Sequence, residues 1–160
     1  AASVRLNLGL ALYQAGRTQE ALAALREAVA QDPDLAAARL MLAQVLTAAG
    51  DDRAAEAEYR ALLERQPGHA AALRGVGFSR LRAADYRAAR AAYAQAADAE
   101  PGNADGWAGL GSAELGLGNL EAADAALARA RELDPRNVMA RRSTELLNEA
   151  RSARKESEQR

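Results

Sequence analysis

Residue types that usually build reactive sites are thinly spread along this chain. The single histidine, His69, follows Gly68 with no acid or nucleophile placed to work with it, so it reads as a solvated turn residue. Asp51 and Asp52 are the obvious acidic pair. Two carboxylates at a helix start answer free N–H groups and the helix dipole more simply than they answer a metal ion. Glycines cluster as GVG at Gly75 to Gly77 and as GLGS at Gly109 to Ser112. Both clusters lie inside helical patterns, where small residues let backbones approach, and neither forms the loop that cradles a phosphate. The absence of cysteine excludes disulfides, thiolate metal ligands and a cysteine nucleophile. No catalytic, cofactor or metal residue is assigned, and the chain is read as no enzyme.

Recognition chemistry is better represented. Arg74 and Arg82 flank Phe78 at helical spacing and could meet an acidic side chain or a terminal carboxylate. Tyr13 offers the amphipathic ring favoured at binding hot spots. A net charge of −1, without a basic cluster interleaved with aromatics, argues against nucleic acid as the partner. No stretch is apolar for long enough to span a membrane. The start at Ala1 shows neither a signal pattern nor an initiator Met, as expected of an excised piece or a processed product. Nothing in the composition fixes a compartment. Lys155 is the only lysine, which with abundant Ala and Gly suggests a GC-rich, bacterial coding sequence.

The elements that position these residues follow from a repeat. Pro33, Pro67, Pro101 and Pro135 recur every 34 residues, and they are all the prolines of the chain. The same register aligns the small residues Gly9, Ala43, Gly77 and Gly111, and further on Ala21, Ala55, Ala89 and Ala123. It aligns two sets of core knobs: Leu8, Leu42, Val76 and Leu110, then Leu25, Tyr59, Tyr93 and Leu127. Between them stand Gly16, Gly50 and Gly118, with Ala84 in the third unit, at the point where a left-handed residue would end a helix. Thr18, Asp52, Asp85 and Asn119 follow as expected helix caps. Each unit therefore reads helix, tight turn, helix, proline-bearing turn.

Segments such as LNLGLALYQAGRTQEALAALREAVAQDP and WAGLGSAELGLGNLEAADAALARARELDP resemble tetratricopeptide repeats. The resemblance spans Ala2 to Asn137 and implies an all-α, right-handed solenoid of antiparallel helix hairpins forming a single domain. Its repeats would be 2–35, 36–69, 70–103 and 104–137, followed by a capping helix 138–151 and a polar tail 152–160. Some positions depart from the pattern. Arg5 and Arg39 stand where Leu73 and Trp107 supply apolar bulk, and Arg80 and Glu114 stand where Leu12 and Leu46 do. An ion pair between Arg80 and Glu114 on neighbouring hairpins is expected, the other outcome being that each reaches solvent alone.

The family implies that first helices line a concave wall. Projected onto this sequence, the partner-binding groove comprises Leu6, Leu10, Tyr13, Leu40, Gln44, Arg74, Phe78, Leu81, Arg82 and Leu115, with Gln14, Thr47, Asp105, Ala108, Ser112, Met139, Arg142, Leu146 and Glu149 beside them. A groove of this kind would hold a peptide or helical segment of another protein, with apolar anchors and Arg setting register. Some of these Leu residues could instead turn inward and complete the core. The clamp by which chaperone-binding members hold a terminal carboxylate is not reproduced. Its positions carry Leu6, Leu10, Met41, Ala71 and Gly75, or one repeat along Leu40, Gln44, Gly75, Asp105 and Gly109. The expected partner is thus a protein or peptide, with self-association possible, and a chaperone C-terminal tail argued against. The alternatives are a structural, oligomerising segment and a regulatory arm of a larger enzyme or assembly protein. No cofactor is implied.

Overall fold

A computed structural model describes residues 1–159, and Arg160, the last residue of the polar tail, lies outside them. Among the described residues the chain forms helices and turns only: α1 (Ala2–Gln14), α2 (Thr18–Gln31), α3 (Ala36–Ala48), α4 (Asp52–Arg65), α5 (Ala70–Arg82), α6 (Tyr86–Ala99), α7 (Ala104–Gly116), α8 (Leu120–Leu133) and α9 (Val138–Glu158). Two compact units, Ala1–Ser79 and Arg80–Arg160, divide the chain within α5, where the sequence suggested one domain.

The turns confirm the logic of the repeat. Gly16, Gly50 and Gly118 sit at φ of 76°, 84° and 78°, and Ala84 occupies the same left-handed region at 56° despite its Cβ. Capping falls one residue earlier than expected in the second hairpin: the Asp51 carboxylate accepts from the Ala54 N–H at 3.1 Å, and Asp52 is already helical. Asp85 accepts from Ala88 as expected, at 3.2 Å, whereas Asn119 stands at the cap of α8 without a side-chain capping bond and Thr18 is already the first residue of α2. His69 does more than fill a turn, because its Nδ1 accepts from the Ala72 N–H and begins α5.

In the first unit the core gathers Leu22, Leu25, Leu42, Val45, Leu46, Tyr59 and Leu62, with α1 packed on α2, α2 on α3 and α3 on α4. Burying a side chain such as Leu25 contributes roughly 1.5–3 kcal/mol. The second unit is built on Leu120, Leu127, Ala130, Ala140 and Leu147, with α7 packed against α6, α8 and α9. The knobs Leu25, Tyr59, Tyr93 and Leu127 are all buried. The other expected set is not uniform: Leu42 is buried, Val76 and Leu110 are half-buried, and Leu8 is 49% exposed. Leu8 lies on a side of α1 that no described helix covers, and it is therefore no core knob.

Arg39 explains how a charge replaces an aromatic. Trp107 donates from Nε1 to the Pro101 carbonyl at 2.9 Å. Arg39, one slot equivalent, donates from Nη2 to the Pro33 carbonyl at 3.3 Å and from Nη1 to the Glu58 carboxylate at 2.7 Å. Both side chains satisfy the same kind of turn carbonyl. At the first helix Arg5 pairs with Glu27. The expected Arg80–Glu114 pair gives way to local partners: the Arg80 guanidinium lies 3.3 Å from the Asp85 carboxylate, and Glu114 accepts from Asn119 Nδ2 at 2.6 Å.

The helix expected over 138–151 continues to Glu158. Its extension is supported by Arg151, whose guanidinium donates to Asp124 of α8 at 2.9 Å.

Candidate partner-binding face

The first helices are held by a size match that the repeat register alone does not reveal. Two knobs of the second helices, Tyr59 and Tyr93, face a glycine sixteen positions on, in the following first helix. A Cβ built on Gly75 would collide with the Tyr59 ring, and one on Gly109 with the Tyr93 ring. Where the knob is the smaller Leu25 or Leu127, the residue sixteen on is Met41 or Ser143. Within its own hairpin Leu25 closes on Gly9, where a Cβ would stand 2.6 Å from Cγ, and Leu127 closes on Gly111 at the same 2.6 Å. Leu25 and Met41 belong to one core. At this offset Gly75 and Gly109 are thus paired with tyrosines, a covariation within one chain that sequence reading could have found by comparing repeats.

These contacts set the first-helix side chains of the first unit. Leu6, Leu10 and Tyr13 recur along one face of α1 at spacings of four and three, and Leu40, Gln44 and Thr47 repeat the pattern on α3, which packs beside it. Leu6 and Leu40 are half-buried and pack on the core, so the inward alternative accounts for part of their surface. Leu10 is half-buried, Gln44 exposed, and Tyr13 is 37% exposed. Arg74 and Phe78, on α5 of the same unit, are half-buried. Neither α1 nor α3 contains an acidic residue, and their arginines, Arg5 and Arg39, are already paired.

Tyr59 carries the polar feature nearest these helices. Its hydroxyl lies 3.3 Å from Thr47 Oγ1, which also lies 2.9 Å from the Ala43 carbonyl and donates to it. Burial raises the phenol pKa above its ordinary value of 10.0, and the Thr47 bond partly opposes that shift.

The remaining expected residues belong to the second unit. Leu81 is half-buried and Arg82 exposed at the end of α5, and Leu115 packs on the core of α7, α8 and α9. Three neighbours expected to face a ligand are already occupied. Ala108 is fully buried, Asp105 accepts from Asn137 Nδ2 at 2.7 Å, and the Ser112 and Ser143 hydroxyls are 2.7 Å apart. Here α9 lies against α7 and supplies these partners.

The sequence profile of the tetratricopeptide repeat matches residues 12–76 and 80–142, most of the chain. The chain belongs to the tetratricopeptide repeat family. Solved structures agree on the fold. MamA from residue 41 to its end, of Desulfovibrio magneticus RS-1, aligns with a TM-score of 0.79 at 22% identity over 99% of this chain and 95% of that one. A thermophilic tetratricopeptide protein of Thermus thermophilus gives 0.72 at 22% over 84% and 75%. The Pseudomonas aeruginosa protein pilF gives 0.75 at 23% over 93% and 76%. Curated protein sequences give no match. The fold is accordingly the all-α solenoid class of tetratricopeptide proteins, whose general role is to bind protein partners. Among the described residues no helix of this tetratricopeptide chain is long and apolar enough to cross a membrane.

Proposed function

We propose that this chain is a non-catalytic scaffold whose first unit holds an apolar segment of a partner protein against Leu6, Leu10, Tyr13, Leu40 and Gln44, with Arg74 and Phe78 at the α5 side. The observation that carries this reading is a pair of adjacent helices, α1 and α3, that present half-exposed Leu and Tyr side chains without one carboxylate. A surface of that kind favours apolar anchors and gives a basic segment nothing to pair with. Leu6, Leu10, Met41, Ala71 and Gly75 offer no side-chain donor to a terminal carboxylate, so a chaperone-type tail is not the ligand. Leu81, Arg82 and Leu115 supply the second unit with a smaller contact of its own.

Affinity capture with the intact chain and with a Leu10→Glu, Tyr13→Ala variant tests the reading. Tyr13 is exposed and Leu10 half-exposed, so the variant keeps its helices, which circular dichroism checks. Loss of the captured protein in the variant is the expected result. Equal recovery would move the binding surface elsewhere.

A further inference from the structure

Three slots of the repeat reverse their charge within the second unit. Arg80, Arg87 and Arg90 occupy the register positions that hold Glu114, Glu121 and Asp124 in the next hairpin. The acidic set is answered inside the chain: Asn119 donates to Glu114, and Arg154 and Arg151 of α9 pair with Glu121 and Asp124. Of the basic set Arg80 pairs with Asp85, while Arg87 and Arg90 are exposed on α6 and meet no carboxylate among the described residues. Residues 80–90 hold four arginines and one carboxylate in a chain of net charge −1. The helices α2, α4 and α8 each carry a carboxylate in the first turn, Glu20, Asp52 and Glu121, whereas α6 has Arg87 there and none. A cation in that turn opposes the helix dipole, and residues kept against a local preference mark sites of function.

Tyr86 anchors the same turn. A Cβ on Gly116 would collide with its ring, and the helices that end in Gln14, Ala48 and Arg82 have no glycine at that position. The Tyr86 hydroxyl has no hydrogen-bond partner among the described residues. Tyr86 and Arg87 lie four and three residues before Arg90, which places all three within one turn of α6.

We infer that Tyr86, Arg87 and Arg90 form a second docking surface, which takes an acidic helical segment of a partner protein. The chain holds the same arrangement with its charges exchanged: Arg151 and Arg154, three residues apart on α9, meet Asp124 and Glu121, three apart on α8. Carboxylates three residues apart on a partner helix would meet Arg87 and Arg90 in that way, with the tyrosine hydroxyl as a further donor. Tyr and Arg are the residue types that dominate binding energy at interfaces. Two unpaired arginines neutralise too few phosphates to hold a nucleic acid, whereas they match a pair of carboxylates.

The test uses the full chain and a labelled alanine-rich helical peptide with Glu at spacings of three, together with its Gln counterpart. The Glu peptide should bind at about 50 mM salt, weaken severalfold by about 300 mM, and bind far better than the Gln peptide. Arg87→Glu with Arg90→Glu should weaken it at least about tenfold. Arg87→Glu gives α6 the first-turn carboxylate that α2, α4 and α8 already have, so the loss does not come from misfolding, which circular dichroism checks. Arg26→Glu with Arg53→Glu, exposed on α2 and α4, changes the net charge equally and should weaken binding less than about twofold. No binding of the Glu peptide, equal binding of the Gln peptide, or equal loss in the two double variants overturns the inference. Tighter binding of oligothymidylate of the same charge overturns it in favour of nucleic acid. Leu10→Glu with Tyr13→Ala should leave peptide binding unchanged, so this surface and the face on the first unit are tested apart.

Discussion

If Tyr59 and Gly75 are a matched pair, converting them to the Leu–Met combination found at positions 25 and 41 should be tolerated only when both change. Tyr59→Leu removes a ring that is 4% exposed together with its hydrogen bond to Thr47, a loss of about 2–3 kcal/mol from the cavity and the bond combined. Gly75→Met drives a side chain into that ring. Overpacking costs about 1–3 kcal/mol, against which the better helix propensity of Met returns roughly 0.7 kcal/mol. Independent effects would sum to about 2–5 kcal/mol, whereas the pair, by refilling the space Tyr59 vacates, should cost at least about 1 kcal/mol less than the sum. Urea unfolding followed by circular dichroism on the four members of the cycle gives the coupling. Hydrogen exchange at α4 and α5 should accompany it, because repeat arrays can unfold in parts. Strict additivity, or a double variant worse than the sum, would refute the size match.

Further expectations follow from single positions. Ala84→Gly should raise stability by about 1 kcal/mol, since Ala84 holds a left-handed φ of 56° that the other turns give to glycine; thermal melts would read it. Ser79→Ala should be neutral or stabilising by up to about 1 kcal/mol, because the Ser79 hydroxyl is buried without a hydrogen-bond partner where α3 and α7 have Val45 and Ala113; chemical denaturation decides. Asn137→Ala removes the α9 cap on Ala140 and the bond to Asp105, and should cost about 1–2 kcal/mol, seen as faster hydrogen exchange through the first turns of α9. Tyr59 has a folded pKa raised above 10.0, so its contribution is fully present below pH 10.0 and is lost as pH rises through the folded value. Alkaline unfolding should therefore begin later in Tyr59→Phe than in the parent chain.

The fold was legible because the 34-residue period fixes hairpin boundaries through steric requirements that act locally: proline in one turn, a left-handed residue in the other, small residues where helices cross. The knobs Leu25, Tyr59, Tyr93 and Leu127 were legible for the same reason. Leu8 was not, since burial in a repeat depends on a neighbour and a slot cannot tell whether it is covered. The Arg80–Glu114 expectation failed for a related cause: register places residues on adjacent helices but does not weigh a turn carboxylate five residues away. Asp105 and Ser112 were assigned to a ligand-facing wall without their bonds to Asn137 and Ser143, because the sequence of α9 reads as a cap without showing how much of α7 it contacts. Arg39 was anomalous until the Pro33 carbonyl supplied the partner that Trp107 finds at Pro101.

A photo-reactive amino acid at position 44 offers the most direct test of the binding face. Gln44 is exposed on α3, between Leu40 and Thr47, and the same probe at Ala57, exposed on α4, serves as the comparison. Irradiation in the native lysate should join a partner protein to position 44 and not to position 57, with the adduct mapping to an apolar stretch of that partner. Adducts at position 57 alone, or equal labelling at both, would contradict the assignment of partner binding to the first helices.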